Sequence, residues 1–272
     1  MVGVPGSGKT MLARRVSSIL PPLTREEALD ITKIYSIAGL LPQNGGLVQT
    51  RPFRSPHHTA STTAMIGGGS VPRPGEVTLA HHGVLFLDEL PEFSKSTLEV
   101  LRQPLEDKKI CISRINASIV FPSDIMLVCA MNPCPCGYYG DESQKNECIC
   151  SPNEIRRYTR KISGPLLDRI DIHIRIPHVA YKDLVSTKNA ESSAVIAKRV
   201  EAARAIQQDR LAPCSISCNA QMNHAMLKRF CPLSKDAQSM LEMAFHRLHL
   251  SARSYDRIIK VARTISDLDT QM

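Results

Sequence analysis

Eight contiguous residues near the start of the chain form a phosphate-binding motif. They fit the P-loop pattern G-x-x-x-x-G-K-[ST], whose glycines let backbone N–H groups turn toward phosphate oxygens while the following helix adds a partial positive charge. In this pattern Lys9 contacts the β and γ phosphates, and the Thr10 hydroxyl ligates Mg²⁺. The motif predicts a nucleotide site formed by Gly3, Pro5, Gly6, Ser7, Gly8, Lys9 and Thr10.

Two adjacent acidic residues follow a wholly apolar segment. Residues 84–87 are typical of a buried parallel strand, and Asp88 and Glu89 come directly after it, where an open α/β sheet binds its ligand. We interpret them as a Walker B motif, in which Asp88 holds Mg²⁺ and Glu89 polarises the attacking water. Asn132 follows the next apolar segment, so its amide is a candidate for orienting that water. The alternatives are a charge pair at a helix N-terminus and a turn asparagine before Pro133.

Four of the nine cysteines form the pattern C-x-C-x11-C-x-C, at Cys134, Cys136, Cys148 and Cys150. Four thiolates from two short, turn-rich arms suit tetrahedral Zn²⁺, which stabilises loops that are too small to build a core. A redox pair and incidental thiols are the alternative interpretations. An odd number of cysteines in a chain of 272 residues favours a reduced, cytoplasmic protein with a metal site over a disulfide framework.

The chain also contains two pairs of adjacent histidines, His57-His58 and His81-His82. In an extended segment, neighbouring side chains point to opposite faces, which makes such a pair a poor metal site. We therefore assign no metal to either pair.

The elements that position these residues alternate between strands and helices up to about residue 177, which predicts an α/β core. A capping box of Thr24 and Glu27 marks the start of one helix. The later periodicity is helical, so we expect a core domain of residues 1–180 and a helical domain of residues 181–272. The other predicted elements are helices over 10–20, 95–103, 192–209, 223–230, 234–248 and 251–268, strands over 84–87 and 125–130, and a hairpin of 109–113 with 118–121.

Composition limits the class of protein. With 43% hydrophobic and 22% charged residues, the chain is typical of a soluble globular protein. Its net charge of +8 favours a polyanionic partner such as nucleic acid, although a solvated basic face explains it equally well. The longest apolar run, residues 125–131, is too short for a membrane helix, and no secretory signal is visible. We therefore expect no membrane partner.

Six motifs, in this order along the chain, resemble those of the ComM/YifB family of magnesium-chelatase-like AAA+ ATPases: the P-loop, VLFLDELPEF, ISRINASIVFP, AMNPCPCG, SGPLLDRIDI and LSARSYDRIIKVARTISDL. The resemblance extends from Gly3 to about Leu268. It implies an αβα ATPase core that binds ATP, a C-terminal α-helical lid and a ring of subunits, usually hexameric. It also implies that Asn132 is sensor 1, that Arg169 is an arginine finger acting on a neighbour's ATP, and that Arg253 is sensor 2.

The same resemblance implies a function. Such a protein is an ATP-driven ring motor that remodels DNA, promoting branch migration during natural transformation. The resemblance includes a small zinc module, here residues 133–152, inserted after sensor 1. In related ring helicases a hairpin between Walker B and sensor 1 projects into the pore, which makes Lys108, Lys109 and Arg114 candidates for contacting phosphates. The alternatives are an ordinary solvated hairpin and, for the whole chain, a chelatase-type ATPase subunit for metal insertion or an inactive zinc-binding fragment.

The chain departs from the family pattern at its ends. Two residues precede Gly3, so we expect the strand that feeds the P-loop to be absent, together with the N-terminal domain usual in the family. The chain also stops somewhat earlier than the family typically does. We therefore expect a fragment or a start assigned too late, without robust ATPase activity of its own.

Overall fold

The computed structural model describes residues 1–41, 46–69, 71–114, 117–141, 147–178, 190–214, 216–248 and 250–269. The chain divides into two compact units. The first consists of residues 1–18 and 22–190, and the second of residues 19–21 and 191–272. The domain boundary predicted at residue 180 lies outside the described residues.

The described part of the first unit contains short strands that form a parallel sheet and two antiparallel pairs. These strands are β1 Val2–Gly3, β2 Phe53–Arg54, β3 Gly67–Gly68, β4 Arg73–Pro74, β5 Val84–Leu87, β6 Lys109–Arg114, β7 Ala117–Pro122, β8 Met126–Cys129 and β9 Arg175–Ile176. Strands β2, β5 and β8 pair in parallel in that order, and β1 pairs in parallel with β9. A parallel bridge between Val2 and Met131, just beyond β8, joins the two groups. The resulting order is β9-β1-β8-β5-β2.

The strand that feeds the P-loop is short rather than absent, which corrects the expectation from the sequence. Val2 lies opposite Arg175 and Gly3 opposite Ile176. On the other side, the Gly3 N–H donates to the Met131 carbonyl at 3.2 Å. Two residues are enough for a strand here because neighbours on both sides satisfy its backbone groups.

The helices of the first unit are capped and interrupted where local chemistry requires it. The predicted capping box is confirmed, with Glu27 N–H donating to the Thr24 hydroxyl at 3.2 Å. The helix predicted over 95–103 is wrong in its extent, because Pro104 has no N–H for the Val100 carbonyl and two short helices form instead. The helices are Lys9–Val16, Arg25–Ala38, Thr62–Ile66, Glu76–Leu79, Lys95–Glu99, Arg102–Asp107, Pro152–Thr159 and Gly164–Leu167.

The main core lies beneath the β5 strand and the β6–β7 hairpin. All four residues of β5 are buried, as the sequence predicted, and the predicted hairpin forms with Lys109 opposite Pro122. Leu85 and Leu87 of β5 pack with apolar side chains of the hairpin and of neighbouring helices. Burial of this apolar surface stabilises β5 and so fixes the position of Asp88, which directly follows the carboxyl end of that strand.

The second unit is helical, as the sequence predicted for this part of the chain. Its core joins Leu211, Met222, Leu227, Cys231 and Ile259. Its described helices are Ser193–Leu211, His224–Phe230, Lys235–Leu248 and Ala252–Leu268. Among the described residues, no helix combines the length and apolar character required to span a bilayer.

Candidate nucleotide-binding site

The phosphate-binding loop connects β1 to the helix that begins at Lys9. Gly8 has φ 81° and ψ 12°, a left-handed conformation that glycine adopts without the steric cost of a Cβ. The Lys9 ammonium lies inside the loop, donating to the carbonyl oxygens of Gly3 and Val4 at 2.8 Å each and to Oδ1 of Asn132 at 3.2 Å. Burial lowers the pKa of Lys9, while the charge of Asp88 acts in the opposite direction. The N–H groups of the Lys9 ammonium, which here donate to carbonyl oxygens, can donate to phosphate oxygens instead.

Thr10 and Asp88 meet across the junction between the loop and the sheet. The Thr10 hydroxyl donates to Oδ2 of Asp88 at 2.6 Å, and the Glu89 N–H donates to Oδ1 of Asp88 at 3.0 Å. Seventy-eight positions of sequence separate Thr10 from Asp88, and the parallel sheet brings them together. A hydroxyl and a carboxylate are oxygen ligands of the kind that Mg²⁺ prefers, so these two residues fit a magnesium site.

Glu89 occupies an unusual backbone conformation at the end of β5. Its φ is 51° and its ψ is 45°, which is rare for a residue with a side chain. Its carboxylate Oε2 lies 3.1 Å from Nδ1 of His58. Sequence reasoning missed His58 as a site residue, because the relevant signal is the pairing of β2 with β5 and no short motif contains both residues.

Asn132 leads directly into the cysteine segment. The Sγ atoms of Cys134, Cys136 and Cys148 lie 3.3 to 3.7 Å from one another, and the Cys136 N–H donates to Sγ of Cys150 at 3.4 Å. A tetrahedron with Zn–S bonds of about 2.3 Å has S···S edges of about 3.8 Å, so the four thiols fit a zinc ion. The Gly137 and Tyr139 N–H groups donate to Sγ of Cys134 at 3.2 and 3.3 Å, as suits a thiolate.

The two arginines expected to act at the nucleotide lie in different units. Arg169 follows the helix Gly164–Leu167, and its side chain is 13% exposed. Its guanidinium donates to the Glu106 carboxylate and, at 2.6 Å, to the Pro165 carbonyl. Arg253 lies in the first turn of the helix Ala252–Leu268 of the second unit and is exposed.

The three basic residues proposed for nucleic acid lie on or beside the β6–β7 hairpin. Lys109 begins β6 and is exposed. The Lys108 ammonium pairs with the Asp124 carboxylate at 2.9 Å, so its charge is partly neutralised within the chain. The side chain of Arg114 lies outside the described part of the structure.

The extended geometry assumed for the pair His81-His82 is wrong. His82 has φ 55°, so this segment turns instead of extending, and the His81 and His82 rings lie 3.8 Å apart. Together with Asp30 they place three possible ligand atoms within 4.8 Å of one another. However, His81 Nδ1 accepts the Asp124 N–H at 3.0 Å, which places the proton of the neutral ring on Nε2. His81 therefore has no free lone pair for a metal.

Comparison with known proteins identifies the family of this chain. The family described as magnesium chelatase, subunit ChlI, matches residues 1–184, and that of the subunit ChlI C-terminal region matches residues 190–272. YifB, an uncharacterized protein of Salmonella typhimurium, is 45% identical over 275 residues, or 99% of this chain and 52% of YifB. Competence protein ComM of Haemophilus influenzae is 44% identical over 268 residues, or 98% of this chain and 51% of ComM.

The chain spans about half the length of the relatives it matches. The family match and the parallel α/β unit followed by a helical unit fit an AAA+ αβα core with a C-terminal helical region. This chain belongs to the ComM/YifB group of the magnesium chelatase subunit ChlI family.

Proposed function

We propose that this protein binds ATP with Mg²⁺ and hydrolyses it. The observation that carries the proposal is the convergence of Lys9, Thr10, Asp88 and Asn132 through hydrogen bonds at the mouth of the phosphate-binding loop. A lysine buried among carbonyls beside a carboxylate and a hydroxyl is chemically suited to a polyphosphate with a divalent cation. Membership of an AAA+-like family supports the same activity.

In this proposal each residue has a separate task. Lys9 neutralises charge on the β and γ phosphates, while Thr10 and Asp88 hold Mg²⁺, which supplies charge neutralisation at the transferring phosphate. Glu89 accepts a proton from the attacking water, and Asn132 orients that water by its amide. Gly3, Pro5, Gly6, Ser7 and Gly8 form the loop whose backbone receives the phosphates.

We further propose that the active form is a homo-oligomer, a hexameric ring, in which Arg169 acts on the neighbour's ATP. An arginine at the γ-phosphate stabilises developing negative charge and makes hydrolysis depend on assembly. In this assignment the second unit is the lid, and Arg253 is sensor 2.

DNA is the substrate we propose for the motor. The support is the name of the relative ComM, a competence protein, together with the net charge of +8. Lys108, Lys109 and Arg114 of the hairpin would then contact phosphates.

A metal-insertion role remains the second candidate because the family description names magnesium chelatase. The four-cysteine segment, proposed to bind structural Zn²⁺, distinguishes the two, since chelatase motor subunits are expected to lack it.

Turnover of ATP by the purified chain, with and without branched DNA, tests the proposal. Glu89→Gln serves as the blank because it removes the base and keeps the shape, and it should still bind nucleotide. Lys9→Ala should abolish nucleotide binding. Normal hydrolysis by Glu89→Gln would contradict the role given to Glu89, and turnover unaffected by DNA would contradict the proposed substrate.

A further inference from the structure

The Arg169 guanidinium is retracted into its own subunit. It donates to the Glu106 carboxylate and, at 2.6 Å, to the Pro165 carbonyl, and 13% of the side chain is exposed. Its buried Nε–H has no hydrogen-bond acceptor within the described part of the chain. A guanidinium whose charge is paired inside its own chain is not available to a phosphate on another subunit.

The backbone beneath this side chain is fixed, so Arg169 can be freed by a change of its side chain alone. The helix Gly164–Leu167 is anchored by Leu166, which is fully buried, and the Arg169 N–H donates to the Leu166 carbonyl at 3.0 Å. The unsatisfied Nε–H makes the retracted position less stable than that of a fully bonded guanidinium. The ion pair with Glu106 therefore contributes much of what holds the side chain in place.

Glu106 lies at the base of the β6–β7 hairpin. It belongs to the helix Arg102–Asp107, and a single residue, Lys108, separates this helix from β6. Lys108 has a left-handed backbone, with φ at 54°, and its N–H donates to the Pro104 carbonyl at 3.0 Å. Because this junction is so short, a displacement of the hairpin is transmitted to the end of the helix that carries Glu106.

A cavity of about 410 Å³ adjoins the pair of Arg169 and Glu106. Its wall includes both residues of the pair, and it also includes Ile110 and Cys111 of β6. The pair therefore borders both the hairpin and a space into which the guanidinium can turn away from Glu106.

We propose that Glu106 is a latch on Arg169 that opens when DNA engages the β6–β7 hairpin; this inference rests on the proposed function. In the closed state Glu106 keeps the guanidinium away from the neighbour's ATP. The Lys108 ammonium pairs with Asp124 at 2.9 Å, and a DNA phosphate that replaces Asp124 moves the junction between helix and hairpin. Glu106 then separates from Arg169, which turns outward to the neighbour's γ-phosphate. Hydrolysis thus depends on DNA as well as on assembly.

The experiment measures ATP hydrolysis with and without branched DNA, at a protein concentration where light scattering gives all variants the same assembled mass. It compares the wild-type chain with Glu106→Gln, Asp107→Asn, Arg169→Ala and the double variant Glu106→Gln/Arg169→Ala. Glu106→Gln keeps the shape of the side chain and removes its charge. Asp107→Asn is the matched control, because it removes one charge from the same helix, where the Asp107 carboxylate accepts from the Gln103 amide at 3.3 Å.

We expect Glu106→Gln to raise the DNA-free kcat about fivefold, because loss of a partly exposed ion pair shifts the Arg169 population toward the open state by about that factor. DNA should then raise its rate little further. Asp107→Asn should resemble wild type in both conditions. The double variant should be as inactive as Arg169→Ala, since the gain acts through Arg169. A merely structural role for Glu106 predicts a lower rate instead, because damage to the fold does not accelerate hydrolysis.

Several results would overturn the inference. A DNA-free rate of Glu106→Gln at or below that of wild type would exclude a latch. An equal gain in Asp107→Asn would show a general effect of charge near the hairpin, and a gain that persists in the double variant would exclude an action through Arg169.

Failure of the proposed function gives a different result. If wild type turns over no faster than Glu89→Gln in either condition, the proposed ATPase activity fails and the latch fails with it. If wild type turns over ATP but DNA does not raise its rate, the proposed substrate fails together with the release of the latch by DNA. A wild-type rate that DNA raises, together with no gain in Glu106→Gln, refutes the latch alone.

Discussion

Gly137 of the cysteine segment packs directly against Pro5 of the phosphate-binding loop. A Cβ at Gly137 would lie 2.6 Å from Cγ and 2.7 Å from Cδ of Pro5, closer than side-chain atoms approach. The backbone of Gly137 is also left-handed, with φ at 92°. The segment that carries the four cysteines therefore forms part of the wall behind the nucleotide loop.

This contact predicts that Gly137→Ala weakens nucleotide binding. The added methyl group must displace the loop or the cysteine segment, and the left-handed backbone adds strain of about 1–3 kcal/mol. Titration with fluorescent ADP measures the effect, for which we expect a rise in Kd of about tenfold. Gly140→Ala is the matched control, because φ is 72° there but the nearest atom, in Arg175, is 3.7 Å away. Equal Kd values for the two variants would contradict the proposed support.

Zinc content is a separate prediction from the cysteine geometry. We expect one zinc ion per chain, lost on replacing Cys134 or Cys148 with serine, because each removes one of four thiolates from a tetrahedral site. Removal of the metal by a chelator should lower the melting temperature, since the bound ion would join the two cysteine pairs to one another. Cys111→Ser is the control, as Cys111 is exposed and lies outside the cluster. Well under one zinc per purified chain would contradict the site.

Assembly dependence is the prediction for Arg169. Within one chain its guanidinium is engaged by Glu106, so an action on a neighbour's ATP requires that this pair open or reorient. The Arg169→Ala variant should bind ATP normally. Its defect should be in ATP hydrolysis and should appear only in the assembled oligomer. Mixing it with Glu89→Gln should restore some activity, because composite sites then contain one intact Arg169 and one intact Glu89. If no mixture exceeds the activity of the separate variants, the action in trans is unsupported.

The buried histidine His81 predicts a pH-dependent stability. Burial, followed by the charge of His82, lowers the pKa of His81 to about 4. An unfolded histidine titrates near 6.5, so between these values the unfolded chain takes up a proton that the folded chain does not. The contribution to stability is present above pH 6.5 and decreases as the pH falls, by about 2 kcal/mol at pH 5.

Urea unfolding at pH 7 and pH 5 checks this expectation. His81→Asn is the informative variant, because its amide oxygen can accept the Asp124 N–H but does not titrate. The variant should lose less stability than wild type between the two pH values. An equal loss in both proteins would show that other groups control the acid sensitivity.

The stability of the second unit depends on a buried carboxylate. The Asp267 side chain is 0% exposed; it pairs with Arg210 and accepts from the Asn219 amide at 2.8 Å. Asp267→Ala should lower the unfolding free energy by about 3–5 kcal/mol, since it leaves a guanidinium without its counter-charge. Asp256→Ala, which breaks the partly exposed pair with His224, should cost about 1 kcal/mol or less. Similar losses in the two variants, measured by urea unfolding, would contradict this ranking.

Features contained within a few consecutive residues were predictable from the sequence. The P-loop lies within eight residues, the capping box of Thr24 and Glu27 within four, and strand β5 is apolar at each of its four positions. The chemistry of such features is carried by local backbone geometry and by residue type, and both can be read directly from the chain. The family resemblance likewise rested on short motifs, the P-loop and the segment that contains β5 among them.

Contacts between distant segments were decided by the tertiary structure alone. The His58–Glu89 contact depends on β2 lying next to β5, and the short strand β1 depends on hydrogen bonds from both neighbours. Gly137 meets Pro5 because the residues after β8 lie beside those after β1. Strand order and the left-handed turn at His82 arise from the packing of the whole unit. A motif therefore identifies which residues can do the chemistry, but the sheet determines which other side chains orient them.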